Sequence, residues 1–342
     1  MGRAGGSGGQ RVLPGVGHVT AKPQPGAAVT GMRDATSSDG APSARNLLVT
    51  VFGDALLPHG ADNAVSVRSL AQLLEPFGVS ERLVRTSLTR LVNDGILRTQ
   101  AAGRRSFYSV EATSRPLFRS ADARIYGSRR GAWDRSWTIV VIDGSEATAA
   151  RRARLRQRLT WAGLGAVAPN VMASPVVTAE EVALVVDQTG GFRNVLVSRS
   201  QVFDGPSTLD EDELARRCAP LDEVAAKYDT FVDEFSDFDR PTLDSLSPVD
   251  AFKLRMLLIA RYRRIVLVDP LLPESLLPEG WAGARARALA AFVYDGCADA
   301  SERHLAAVAE LSDGTIVPDA NWLHGRFIVE ERLVSDTNGY AS

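Results

Sequence analysis

Cysteine and histidine are scarce: the 342 residues hold two cysteines, Cys218 and Cys297, and four histidines, His18, His59, His304 and His324. Two thiols cannot make a disulfide framework, and neither stands at the paired spacing that would build a zinc site with a histidine. Both read as ordinary buried thiols. No run approaches the roughly 20 apolar residues of a membrane span, and the N-terminus lacks the basic, apolar, small-residue succession of a secretory signal. The expected location is therefore the cytoplasm, with no membrane partner. Enzyme signatures are missing too: there is no phosphate loop, dinucleotide fingerprint, nucleophile elbow or metal-spaced histidine pair, and Gly163-Leu164-Gly165 is too isolated to count. No catalytic residue, metal or cofactor is expected. Lysine is absent from residues 43–135, where fourteen arginines stand against eight carboxylates. The net charge of −2 thus hides a basic front end on an acidic body, and a basic front end suits a polyanionic partner.

What is present, 45% apolar and 23% charged residues, is enough to build two or three ordinary cores. Residues 1–42 are rich in Gly, Ala, Ser and Pro without either helical or strand period, and are expected to be a disordered tail. Met32, near the start of the patterned region, offers an alternative start. Ser43 then caps a helix whose Leu47, Leu48, Val51, Phe52 and Leu56 make one buried stripe, ending near Pro58-His59-Gly60. A second helix over 66–74 turns Val67, Leu70, Leu73 and Leu74 inward, and Pro76-Phe77-Gly78 stops it. Ser80 caps a third, with Glu81 at the positive end of its dipole and Val84, Leu88, Leu91 and Val92 as its core stripe.

On a helical wheel Arg82, Thr86, Thr89 and Asn93 share the face opposite that core, flanked by Arg85 and Arg90. Arginine grips phosphate or the guanine O6/N7 edge, threonine meets phosphate or a thymine methyl, and asparagine pairs with adenine. The bland alternative is a solvated face whose arginines pair with Glu81 and Asp94. The next residues favour the first reading: 96–99 reads as a strand, 102–105 as a turn carrying Arg104 and Arg105, and 106–110 as the returning strand. Helix, turn, helix and basic hairpin in that order predict a winged helix-turn-helix over 43–127 that binds double-stranded DNA through Ser80, Arg82, Arg85, Thr86, Thr89, Arg90, Asn93, Arg104 and Arg105.

Residues 46–54 (NLLVTVFGD), 78–91 (GVSERLVRTSLTRL), 103–108 (GRRSFY) and 124–127 (RIYG) resemble the PaaX-like family of transcriptional regulators, as do 161–175 (WAGLGAVAPNVMASP) and 269–287 (DPLLPESLLPEGWAGARAR). The resemblance runs along nearly the whole chain after Pro42. It implies a homodimeric repressor of an aromatic-acid catabolic operon, released from its operator by an aryl-CoA thioester such as phenylacetyl-CoA. The glycine-rich tail departs from the family's pattern.

The rest of the chain predicts an α+β protein. A strand over 137–142, a basic helix over 147–162, a strand at 171–173, a helix over 179–187 and a strand at 195–198 suggest a small ferredoxin-like domain, residues 131–205. The family implies a central domain of this kind, similar to a small CRISPR-associated nuclease. That likeness carries a rival reading, a metal-dependent nuclease centred on Asp143 at the end of the first strand. Asp143 beside Gly144 more simply turns the chain, for no second carboxylate or general base accompanies it. Residues 206–334 are expected to form a mainly helical dimerisation and effector domain with helices at 211–218, 221–235, 248–264 and 283–311. Acidic residues crowding 210–213 and 229–239 read as a solvated face. A thioester effector would need cations and an apolar slot, which puts forward Arg255, Arg261, Arg263 and Arg264, with Trp161, Trp281 and His304 lining the slot. The plainer reading is that the tryptophans anchor cores and the arginines satisfy helix-end carbonyls or acids.

Overall fold

The computed structural model describes residues 42–60, 62–103, 105–127, 133–143, 148–189, 195–202, 205, 208–312, 314–316 and 321–327. The stretch 1–41 and Arg104 lie outside the described residues, as does the side chain of Trp161.

The front end follows its hydrophobic spacing. Ser43 Oγ accepts the Asn46 amide at 3.3 Å and starts helix α1 (Ala44–Thr50), which runs on as a wider π-type coil (Val51–Leu56) and closes in a short turn (Leu57–His59). Leu47, Leu48, Val51 and Phe52 are buried, and so, unexpectedly for a carboxylate, is Asp54 within the wide coil. Strand β1 (Val65–Ser66) leads into α2 (Val67–Leu74), where Ser66 Oγ accepts the Ser69 amide at 3.1 Å. Gly78 ends the turn after α2 with φ 74°, a left-handed value that only a residue without Cβ takes freely. Helix α3 (Glu81–Asn93), capped by Ser80, buries Val84, Leu88 and Leu91 in one core with α1 and α2. Strands β2 (Leu97–Ala102) and β3 (Arg105–Val110) pair antiparallel from Leu97↔Val110 to Ala102↔Arg105. The ladder thus continues to the tight turn at Gly103, beyond the 96–99 limit read from apolar residues alone, because the outer residues of β2 are all exposed. Helix α4 (Arg115–Tyr126) follows; its sequence signal is faint because only Ile125 and Tyr126 are buried.

The central region runs β4 (Ser136–Ile142), α5 (Ala149–Ala162), β5 (Gly165–Ala168), β6 (Val171–Ser174), α6 (Ala179–Gln188) and β7 (Val195–Gln201). The sheet order β5-β6-β4-β7 is antiparallel throughout. One face packs Val140, Ile142 and Met172 beneath Leu155, Leu159, Val182 and Val186 of the two helices. Strand β5 gives a weak signal, being four small or lightly buried residues, and it explains the glycines around it. Gly163 caps α5 at φ 105°, and a Cβ on Gly165 would lie 1.9 Å from the Cys218 carbonyl oxygen.

Beyond it come α7 (Glu211–Cys218), α8 (Leu221–Phe235), α9 (Arg240–Asp244), α10 (Pro248–Val266) and α11 (Ala282–Val308). Much of the expected solvated acidity is engaged. Asp210 and Asp239 cap α7 and α9, Glu213 pairs with Arg216 and Arg217, and Asp229 pairs with Arg285 at 2.9 Å. Helix α10 is buried nearly all round. Its Phe252 and Met256 enter the front-end core together with Leu305 of α11, while Leu254, Leu258 and Ile259 join the core of the C-terminal helices. Trp137 and Ala173, on the second face of the central sheet, belong to that same C-terminal core.

Helix α11 stops at Val308, three residues before the expected end. Glu310–Leu311 instead forms β8, which pairs with β1 and with β9 (Gly314–Thr315), giving the order β2-β3-β1-β8-β9. The open edge of β1 supplies the reason: the Ser312 amide donates to the Ala64 carbonyl at 2.8 Å and the Glu310 amide to Ser69 Oγ at 2.9 Å. No helix among the described residues is long and apolar enough to cross a membrane.

Candidate nucleic-acid interface

Helix α3 is held from behind by Val84, Ser87, Leu88 and Leu91, so Arg82, Arg85, Thr86, Thr89, Arg90 and Asn93 all face solvent. Its first turn is fixed by Ser80 Oγ, which accepts the Leu83 amide at 3.4 Å. Its end is tied to α1, where Arg45 Nη1 donates to Asp94 Oδ2 at 2.7 Å. Arg85 leans back on Glu81 through contacts of 2.6 and 3.0 Å, an exposed i,i+4 pair that a stronger anion can replace. Thr86 and Thr89 donate their hydroxyls to the carbonyls of Arg82 and Arg85 at 2.9 and 3.0 Å, leaving methyls and oxygen lone pairs for a partner. The side chains of Arg82, Arg90 and Asn93 have no polar partner among the described residues. Leu83, 49% exposed on the same helix, is an apolar contact that the polar pattern of this face conceals.

The hairpin is less free than its composition suggests. Arg105 Nη1 donates to Glu310 Oε1 on β8, so one of the two expected tip arginines is engaged within the chain, and Arg104 lies outside the described residues. Arg98 donates to Ser109 Oγ and to Asp62, which also accepts from Arg115 at 2.6 Å. The hydrogen bond and charge of Arg115, then those of Arg98, hold the Asp62 carboxyl below its ordinary value. Arg68 on α2 and Arg119 on α4 are exposed cations that the motif reading passed over.

The proposed effector set does not converge. Successive residues of a helix point about 100° apart, and α10 sends its arginines in different directions. Arg261 lies 3.5 Å from Glu234, Arg263 donates to the Asn46 carbonyl at 3.2 Å, and Arg264 is exposed. Arg255 is fully enclosed. Trp281 packs edge-on against Tyr228 in the C-terminal core, whereas His304 lies beside Phe252 of the front-end core. Burial pushes the His304 pKa down, and pushes the thiols of Cys218 and Cys297 up to about 12.

Arg255 belongs to a buried polar cluster that ties the front end to the C-terminal helices. Asp54 accepts from Arg255 Nε at 2.8 Å, Tyr294 at 2.8 Å, Arg326 at 2.9 Å and Tyr126. Arg255 also donates to Glu302 at 2.9 Å and Ser301 at 3.2 Å, and Arg326 reaches Asp122. Burial alone would lower the Arg255 pKa, but the carboxylates of Asp54 and Glu302 more than reverse this and keep it charged. Burial foremost raises both Tyr126 and Tyr294, so both remain hydroxyl donors. Arg326 stacks 3.8 Å above the Tyr126 ring. Motif residues far apart in sequence meet along this seam. Arg124 donates to the carbonyls of Val266 and Asp269, and Arg287 donates to those of Ile125, Tyr126 and Gly127. The signal that could have found the seam was an acid, Asp54, inside the apolar stripe that runs from α1 into the wider coil after it.

Asp143 stands exposed after β4. Among the described residues no group of three His, Cys, Asp or Glu side chains could hold a metal ion.

The fold and the site define an α+β chain that presents a capped, cationic helix beside a basic hairpin, with a long helical body bolted to its back. Models of the PaaX-like protein, the PaaX protein central Cas2-like domain and the PaaX-like protein C-terminal domain match residues 43–113, 130–211 and 220–307. The chain is 36% identical over 291 residues to the transcriptional repressor PaaX of Escherichia coli (strain K12), covering 83% of this chain and 90% of that one. Its fold is similar to that of the uncharacterized protein Rv0674 from Mycobacterium tuberculosis, with TM-score 0.50 and 23% identity over 77% of this chain and 97% of that one. The chain therefore belongs to the PaaX-like family, a family of transcriptional regulators and not of enzymes.

Proposed function

We propose that this protein is a DNA-binding transcriptional repressor acting in the cytoplasm, with α3 docked in the major groove and the β2–β3 hairpin set as a wing against the adjoining backbone or minor groove. One observation carries the reading: α3 buries a complete apolar face while its opposite face offers Arg82, Arg90 and Asn93, without partners among the described residues, beside Thr86 and Thr89. Those groups match base edges and phosphates rather than one another. The E. coli relative's title as a transcriptional repressor supports it.

A single 13-residue helix reads few base pairs. The protein therefore acts as a homodimer on two half-sites about one helical turn, roughly 34–36 Å, apart. The central sheet, in β-α-β-β-α-β order, is taken as ferredoxin-like, and the helices from residue 206 onward as the dimerisation and effector region. Resemblance to the family supports an aromatic-acid catabolic operon as target and an aryl-CoA thioester such as phenylacetyl-CoA as the releasing ligand. Arg255 is not among the groups that would hold it, since its charge is satisfied in the core.

The test is fluorescence anisotropy of the full chain on duplexes from its own upstream region and on scrambled duplexes, at fixed salt, with and without a panel of aryl-CoA thioesters. Preference for the upstream DNA, relieved by one thioester, is expected. Equal affinity for scrambled DNA overturns the repressor reading, and preference untouched by the panel removes the ligand alone.

A further inference from the structure

Outside the front end, α5 of the central region is a helix whose charge is all of one sign. Its fourteen residues include five arginines and no acid. Leu155 and Leu159 are buried against the sheet, and the arginines line the two flanks of that stripe. Arg152 and Arg156 lie on one side; Arg151, Arg154 and Arg158 lie on the other. Among the described side chains, Ala149, Ala150, Ala153, Gln157 and Thr160 make an exposed, neutral crest between them, on the side away from the sheet.

Three of these arginines, Arg154, Arg156 and Arg158, meet no carboxylate among the described residues. Arg156 and Arg158 donate to the backbone carbonyls of Pro169 and Gln188, which are neutral, and Arg154 is exposed with no partner among the described residues. The acids at the start of the adjacent α6 are engaged locally. Glu181 closes a capping box with Thr178, and Glu180 is held down foremost by the backbone amide of its own helix start, then by Thr178.

We propose that α5 is a second duplex-DNA contact, made to the phosphate backbone, which extends the footprint of the chain beyond the bases under α3; this rests on the DNA-binding reading above. A helix of fourteen residues is about 21 Å long, enough to lie along several phosphates of one strand. Arginines on both flanks of the exposed face then reach the oxygens of that strand.

Phosphate contacts carry no sequence information, so the test uses a 40-base-pair duplex of arbitrary sequence and the full chain, with affinity measured across a range of salt. Each lost contact lowers the slope of log K against log salt by about 0.9, equivalent to about eightfold weaker binding at 0.1 M. Arg154→Gln is expected to lower the slope by about one, and Arg154→Gln with Arg158→Gln by about two, with operator and arbitrary DNA weakened equally. Arg158 also holds a carbonyl, so Arg154→Glu alone, with an unchanged thermal midpoint, is the decisive variant. An unchanged slope for it, an absence of duplex affinity in the parent, or a loss confined to anionic phosphatidylglycerol vesicles overturns the proposal. Failure of the α3 reading is separate: Arg82→Ala would then leave the preference for operator over arbitrary DNA intact.

Discussion

Single side chains in this protein divide by what they face. Arg255 looks from the sequence like a ligand cation, yet it has no exposed surface and joins Asp54 to Glu302. Removing one partner of such a cluster leaves uncompensated buried charge, so Arg255→Met is expected to destabilise the protein by about 3–5 kcal/mol in urea unfolding. A loss below about 1 kcal/mol would mean that the cluster is incidental. The two titratable histidines for which a direction is clear act oppositely on stability. His304 is depressed by burial below the ordinary 6.5, so its contribution is present above pH 6.5 and is lost as pH falls through its folded value. His324 is raised by its hydrogen bond to Asp295, so its smaller, surface contribution is present below pH 6.5 and fades as pH rises through its folded value. Thermal midpoints followed from pH 8 to pH 5 should fall less in His304→Phe than in the parent protein; parallel curves would contradict the assignment.

At the level of elements, helix caps and glycines do most of the local specification. Ser43, Ser66, Ser80, Thr148, Thr178, Asp210, Asp239 and Ser247 each accept a backbone amide at a helix start, and each is a residue type that favours this over continuing the helix. Such starts are readable in advance because capping is local chemistry. Short strands are not, since β1, β5, β8 and β9 exist only through their partners. Gly165 shows the limit well: in sequence it is part of an uninformative Gly-Leu-Gly, whereas in space it admits the backbone of Cys218. Gly165→Ala is expected to cost about 1–3 kcal/mol by forcing α7 off the sheet edge, measurable as increased amide exchange in residues 165–174. Exchange unchanged there would show that the contact yields without strain.

On the scale of the whole molecule, the front end is completed by residues from the far end of the chain. Strand β8 pairs with β1, Leu305 and Leu311 lie in the front-end core, and Arg326 reaches Asp54. Ending the chain after Val308 should therefore strip protection from the Val65 and Tyr108 amides although no front-end residue is deleted; protection equal to that of the full chain would refute the shared sheet. Such packing gives a route by which events in the C-terminal helices bear on α3. The sequence by itself determined the helices of the front end, the hairpin, the cationic face of α3 and the strand-helix alternation of the centre, because periodicity, caps and turn residues act over a few neighbouring positions. Only the tertiary structure decided that α10 is buried nearly all round with its arginines turned in different directions, that Arg105 meets Glu310, and that 310–311 leaves the helix for a sheet. Those outcomes depend on which distant groups come within hydrogen-bonding reach. A buried Asp54 can recruit Arg255, 201 residues away, only once folding has brought them together, and no local pattern encodes that meeting.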